Sequence, residues 1–129
     1  MLTEEQAVEA FARAWNRLEP DDFLRLLKKD ARYASQYVFN ELVSASDIAD
    51  YLREKMESVR IHGINNIETR VRVEVGRLSN GQPCALMTQG VSDVIRAVVV
   101  FEVDGERIVR YDLCMPELYR SIRTGVCPE

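Results

Sequence analysis

The chain has 129 residues, 47% of them hydrophobic, and a formal net charge of −4 from 17 basic and 21 acidic residues. This length fits one domain, residues 1–129, and the hydrophobic fraction is too high for a disordered chain. The arginines are spread along the chain without a basic block, which argues against nucleic-acid binding. No apolar run approaches the ~20 residues that cross a membrane, which argues against a membrane protein.

The cysteines and the N-terminal segment indicate the compartment. The three cysteines show no close pairing, which fits free thiols in a reducing environment. The N-terminal residues are acidic and polar, which is not typical of a signal peptide. One histidine and the lack of a Cys-x-x-Cys motif argue against a structural zinc site. We therefore expect a cytoplasmic protein without a metal or other cofactor.

Helix-period patterns occupy the first half of the chain. Thr3 to Gln6 form a capping box, and the apolar stripe that follows predicts a first helix. Pro20, with two aspartates after it, predicts the start of a short second helix that ends near Lys28-Lys29. Ser44 or Ser46 caps a third helix, whose apolar stripe comprises Ile48, Tyr51, Leu52, Met56 and Val59.

Strand patterns occupy the rest of the chain. The aromatic run from Ala31 to Phe39 predicts an isolated strand between the second and third helices. From residue 67, apolar and polar residues alternate strictly, which predicts a half-buried strand. Further strands follow after Asn80-Gly81 and Asp104-Gly105, and the last is predicted to run from Arg107 to Cys114. Helices followed by a strand meander predict an α+β domain, with the helices gathered on one face of a mostly antiparallel sheet. The tail, residues 116–129, shows no clear pattern.

Four segments carry a resemblance to a known family. These segments are Ala14-Trp15-Asn16 with Asp21-Asp22-Phe23, the run from Leu26 to Tyr33, the run from Ser46 to Leu52, and the run from Phe101 to Ile108. Their order and spacing resemble the nuclear-transport-factor-2-like superfamily, which includes SnoaL-like polyketide cyclases, ketosteroid isomerases and limonene-epoxide hydrolases. The resemblance implies a curved, mixed sheet that wraps three N-terminal helices into a cone with an internal pocket, and often a homodimer through the convex face.

The resemblance also implies where a ligand pocket would lie. From this resemblance we expect a mainly apolar pocket that binds a small, largely apolar molecule. Six residues are expected to form its walls. These are Trp15, Tyr33, Ser35, Phe101, Tyr111 and Leu113.

The catalytic residues of two relatives can be checked position by position. The ketosteroid-isomerase set needs a tyrosine, an aspartate base and a protonated acid, and Phe11, Ser35 and Ala97 stand at those positions. The limonene-epoxide-hydrolase set matches at Tyr33, but Ser35 replaces its asparagine and its last-strand aspartate falls near Leu113. Neither set is complete, so we leave open whether the chain is an enzyme; if so, it is a lyase, isomerase or hydrolase that needs no cofactor.

The register of the last hairpin decides the role of Asp112. A two-residue turn at Asp104-Gly105 pairs Ala97 with Asp112 and directs Asp112 into the cone, where it is our candidate general acid or base. A turn with Gly105 as a bulge pairs Ala97 with Tyr111 and leaves the cone apolar. Asp112 then lies outside, opposite Arg96. We favour the bulged register because buried charges cost several kcal/mol of desolvation.

The outer face of the sheet suggests a partner. Val98, Val100 and Ile108 are predicted to form an apolar stripe there, and such stripes usually mark a partner surface, so we expect a homodimer joined through it. Three interpretations remain open: a domain that binds a small apolar molecule, a non-catalytic homodimeric module, and an accessory subunit that docks through Leu118, Tyr119 and Ile122.

Overall fold

The computed structural model of the chain describes residues 1–38 and 40–129. Along the chain the elements are α1 (Glu4–Arg17), α2 (Asp21–Leu24), β1 (Leu27–Ser35), α3 (Ala45–Gly63), β2 (Val71–Leu78), β3 (Pro83–Gln89), β4 (Ala97–Asp104), β5 (Arg107–Cys114) and β6 (Ser121–Val126). Short 3-10 turns cover Ile67–Thr69 and Pro116–Leu118. The predicted α+β class, with three N-terminal helices on the concave face of a curved, mixed sheet, is confirmed.

The helix ends follow local capping chemistry. Thr3 and Gln6 form the predicted capping box, and the Ser44 hydroxyl accepts the backbone N–H of Asp47 at the start of α3. The second helix is shorter than predicted: it ends at Leu24, and Lys28-Lys29 lie in β1. The predicted strand from Ala31 to Phe39 is instead Leu27–Ser35, and Phe39 lies outside the described residues.

Six strands form one sheet in the order β1-β5-β4-β3-β2-β6. All described pairings are antiparallel except that of β1 with β5, which is parallel. The tail contributes β6, which the sequence did not predict: it pairs with the edge of β2, and Arg123 lies opposite Gly76. A Cβ atom at Gly76 would lie only 2.5 Å from Leu86 Cδ1 on β3, so glycine permits this close packing.

The hairpin of β4 and β5 differs from both predicted registers. Asp104 pairs with Arg107, so the turn is Gly105-Glu106, and a bulge in β5 separates this pair from Phe101 opposite Tyr111. The exact pairings of both alternatives are therefore wrong. The bulged alternative nevertheless predicted the correct face of the sheet for two residues. Tyr111 is buried in the core beneath the helices, and Asp112 lies on the outer face.

The bulge also moves Ile108 to the inner face. Ile108 is fully buried in the main core, and its backbone N–H donates to the carbonyl of Leu26. Its predicted place on the outer stripe is thus wrong, because the extra residue in β5 reverses the direction of the side chains before it.

The outer face of the sheet is partly covered by the chain itself. Between β5 and β6 the chain leads from the Cys114 end of β5 to the far edge of the sheet, and Tyr119 in this connection packs on a small apolar cluster. Its fully buried members are Cys84, Leu86 and Val98, and Val100 is half-buried at its margin. The prediction of an exposed stripe is therefore wrong for Val98 as well, and the homodimer itself stays a prediction.

Ion pairs flank this outer cluster. Glu74, which is buried, pairs with Arg123, and Arg123 also reaches Asp93. On the other side, Arg110 joins Asp112 and Glu41. Within the described residues, no helix is long and apolar enough to cross a membrane.

Candidate functional site

A cavity of about 160 Å³ lies between the helices and the concave face of the sheet. We call it the cone cavity. Its walls come from α1, α3 and three strands: Phe11, Trp15, Tyr33, Tyr51, Leu52, Lys55, Met87, Tyr111 and Leu113. An apolar cavity of about 150 Å³ holds a molecule the size of benzene, so this one suits a small ring or a branched aliphatic body.

Aromatic side chains form most of this wall. The rings of Tyr33 and Tyr111 stack with centroids 4.5 Å apart, and Tyr51 lies 5.6 Å from Tyr33. Phe11 packs against Tyr111 with ring centroids 5.8 Å apart. Because Tyr33 and Tyr111 occupy neighbouring parallel strands in direct register, the sheet itself fixes this stack.

Two polar atoms in the wall are buried without a hydrogen-bond partner. They are the indole Nε1 of Trp15 and the hydroxyl oxygen of Tyr111, whose residues are 8% and 1% exposed. The indole N–H can only donate, and the tyrosine hydroxyl can donate and accept. A buried polar group left unsatisfied costs about 1–3 kcal/mol, so both groups favour a ligand that offers a hydrogen-bond acceptor.

The titratable groups of the cone cavity are one lysine and three tyrosines. Burial raises the pKa of Tyr33, and the neighbouring Tyr51 raises it further. Burial likewise raises the pKa of Tyr111 well above its ordinary value. Both phenols thus stay protonated at neutral pH and act as donors. The ammonium of Lys55 lies 5.7 Å from the ring centroid of Tyr51, on the exposed side of α3.

Four of the residues predicted for the pocket wall lie there: Trp15, Tyr33, Tyr111 and Leu113. Phe101 does not, because it packs behind Tyr111 in the core, with the two rings stacked at 5.5 Å. Ser35 does not either: at the end of β1 it accepts a hydrogen bond from the backbone N–H of Tyr37 and lines a groove that also contains Asp112.

Asp112 lies outside the cone cavity. Its carboxylate accepts two N–H groups of Arg110 at 2.8–3.2 Å, and Arg110 also pairs with Glu41 at 2.5 Å. The predicted partner Arg96 is therefore wrong: Asp112 lies opposite Val100, and its partner is Arg110, two residues earlier on the same face of β5. Hydrogen bonding to the Asp112 carboxylate raises the pKa of the Arg110 guanidinium, which is the donor. From this position Asp112 cannot act as a general acid or base inside the cone.

The contributions of α3 and β3 to the cavity were not predicted from the sequence. Tyr51 and Leu52 were part of the predicted apolar stripe of α3, and that stripe was the available signal. No sequence pattern marked Lys55 or Met87 as a cavity residue, since only the packing of α3 against the sheet brings them to the same opening.

A second cavity, of about 310 Å³, lies where α1 and α3 end and β2 begins. We call it the rim cavity. Its walls are formed by Trp15, Asn16, Leu18, Val59, Arg60, Gly63, Ile64, Arg70 and Val71, so Trp15 borders both cavities. Among residues 1–38 and 40–129, no group of three His, Cys, Asp or Glu side chains is arranged to hold a metal ion.

Comparison with known proteins shows the fold alone. No family model matches the chain, and no curated protein matches it significantly. Among solved structures, an NTF2-like protein of unknown function from Cytophaga hutchinsonii is similar, with a TM-score of 0.60 and 9% identity over 92% of this chain and 95% of that one.

Two further structures extend this likeness. An uncharacterised cystatin-fold protein from Novosphingobium aromaticivorans gives a TM-score of 0.59 at 13% identity, over 88% of this chain and 98% of that one. An LEH-like epoxide hydrolase from M. tuberculosis gives a TM-score of 0.57 at 21% identity, over 87% of this chain and 77% of that one. The chain therefore has the NTF2-like, cystatin-like fold, and the predicted resemblance is confirmed at that level.

Proposed function

We propose that this protein binds a small, largely apolar molecule in the cone cavity. The observation that carries the proposal is the pair of buried, unpartnered polar atoms, Trp15 Nε1 and Tyr111 Oη, on residues that line an aromatic cavity. Buried polar groups in folded proteins are rarely left without a partner, and an exception calls for an explanation. A ligand with an apolar body and one oxygen acceptor would cover the rings and satisfy these donors.

The proposal is for binding rather than turnover. The cavity wall has no carboxylate among the described residues; its ionisable groups are Lys55 and three tyrosines, and burial raises the pKa of Tyr33 and Tyr111. General acid–base catalysis works best with a group whose pKa lies near the working pH. The ketosteroid-isomerase set is also unmatched, and of the epoxide-hydrolase set only the tyrosine, Tyr33, is matched.

Ring-sized probes with and without an oxygen test this proposal. Acetophenone offers a carbonyl acceptor, and ethylbenzene has a similar shape without one. We expect both to shift the NMR signals of the cavity residues, and acetophenone to bind about tenfold more tightly, as one additional hydrogen bond predicts. The single tryptophan of the chain gives one indole N–H signal, which should move strongly with acetophenone.

Tyr111→Phe separates ligand binding from structure. Removing a buried hydroxyl that has no partner should leave the free protein as stable as before, or more stable by about 1 kcal/mol. The same change should reduce the preference for acetophenone over ethylbenzene. Tyr119→Phe, on the outer face, is the matched control and should alter neither probe's affinity. If neither probe binds the unmodified protein, the proposal fails.

A further inference from the structure

The rim cavity combines an apolar wall with two cationic side chains. At about 310 Å³ it reaches the lower end of the size range of small-molecule sites. Trp15, Leu18 and Val59 supply apolar surface, and Ile64, at 73% exposed, leaves a large apolar side chain open to solvent at the edge. An apolar surface of this shape is suited to the body of a small organic molecule.

The two cations are held in place by the ends of two helices. Arg60 donates from Nη2 to the carbonyl oxygen of Leu18 at 2.6 Å, and Arg70 donates from Nε to the carbonyl oxygen of Gly63 at 3.1 Å. These carbonyls belong to the C-terminal ends of α1 and α3, where cations are favoured. The contacts fix the guanidinium groups without consuming them, because an arginine carries five N–H donors.

No acidic side chain lines the rim cavity among the described residues. The nearest carboxylate to Arg60 in the described ion pairs is Glu57, 3.5 Å from Nε and on the exposed surface of α3. The chain as a whole carries a net charge of −4, so it does not attract anions in general. A preference for anions at this place would have to come from Arg60 and Arg70.

We propose that the rim cavity is a second binding site, for a small organic carboxylate. The carboxylate group pairs with the guanidinium groups of Arg60 and Arg70, for which its planar geometry is suited. The apolar body packs against Trp15 and Leu18. Trp15 is the one residue that this site shares with the cone cavity, and the proposal does not depend on the function proposed there.

Phenylacetate is the probe that fits this chemistry, with one ring and one carboxylate. We expect it to shift the side-chain Nε–H signals of Arg60 and Arg70 and the indole signal of Trp15. Arg70→Gln and Arg60→Gln should each weaken its binding about tenfold, as expected for the loss of one charge-assisted hydrogen bond. Arg72→Gln, an exposed arginine of β2 that lines neither cavity, is the matched control and should leave the affinity unchanged.

Three other probes and the control variant can overturn the proposal. If 2-phenylethanol binds as tightly as phenylacetate, the arginines do not recognise an anion. If inorganic phosphate binds as tightly, the apolar wall contributes nothing. If Arg72→Gln weakens binding as much as Arg70→Gln, only general electrostatics is at work. Binding of 2-phenylethylammonium with higher affinity than phenylacetate would contradict the proposal outright. Urea unfolding of each variant establishes that it is folded before its affinity is compared.

Discussion

The two faces of the sheet are closed in different ways. The concave face carries large aromatic side chains, including Phe101 and Tyr111, which pack with the helices but leave a cavity and two unpartnered polar atoms. The convex face carries small side chains such as Cys84 and Val98, which one aromatic residue, Tyr119, and flanking ion pairs cover.

This difference separates binding from structure. Large rings on a curved surface cannot fill all the space between helices and sheet, and the space that remains can accept a ligand. The small side chains of the outer cluster pack closely on the convex surface, where Tyr119 covers them. We therefore place the proposed ligand on the concave side and expect the convex side to respond to mutation mainly through stability.

Val98→Lys should have the largest effect, through loss of stability. Val98 is fully buried between Leu86 and Cys114 on the neighbouring strands, so a lysine there would bury a charge without a partner. We expect the free energy of unfolding to fall by about 3–5 kcal/mol, measured by urea denaturation.

Val100→Lys is the matched control on the same strand. Val100 is half-buried and pairs directly with Asp112, so the new ammonium would meet a carboxylate. Its effect should stay within about 1 kcal/mol. Equal losses for the two variants would show that the outer cluster is not closed as described.

Alkaline pH should destabilise the protein through the concave face. The pKa values of Tyr33 and Tyr111 are raised in the folded state, so both phenols keep their protons above pH 10, where the unfolded chain loses them. The stabilising contribution is complete below pH 10 and is lost as the pH rises further. Each of these two tyrosines should lower the free energy of unfolding by about 1.4 kcal/mol per pH unit in that range.

Urea unfolding between pH 9 and 11.5, followed with phenolate absorbance, measures this loss. Tyr111→Phe should make the dependence on pH less steep, because one buried phenol is removed. A stability that stays constant across this range would contradict the buried aromatic wall.

Thiol reactivity should differ among the three cysteines, with no effect on stability. Burial raises the pKa of Cys84 to about 11, and burial is also the main cause of the raised pKa of Cys114. Cys127 is only half-buried. At pH 8 a disulfide reagent should therefore label one cysteine quickly and the other two only after unfolding.

Two variants sharpen the thiol experiment. Cys127→Ser should remove the fast reaction. Tyr119→Ala should make Cys114 reactive, since Tyr119 covers the outer cluster that contains Val98, the strand partner of Cys114. Fast labelling of Cys84 in the unmodified protein would mean that the convex face is open.

The sequence by itself determined the elements whose signals are local. The capping box at Thr3, the apolar stripe of α3 and the strand from Arg107 to Cys114 all appear where predicted, because helix caps and side-chain periodicity depend on neighbouring residues. The order of these elements also indicated the fold, and the family resemblance implied that Trp15, Tyr33, Tyr111 and Leu113 line one pocket.

Tertiary structure alone decided the rest. A one-residue bulge in β5 moved Ile108 into the core, and no local pattern marks such a bulge. The pairing of β6 with β2 and the covering of Val98 by Tyr119 join residues far apart in the chain. Lys55 and Met87 meet at one cavity only because α3 packs across the sheet, and the energy of that packing belongs to the whole core rather than to any short segment.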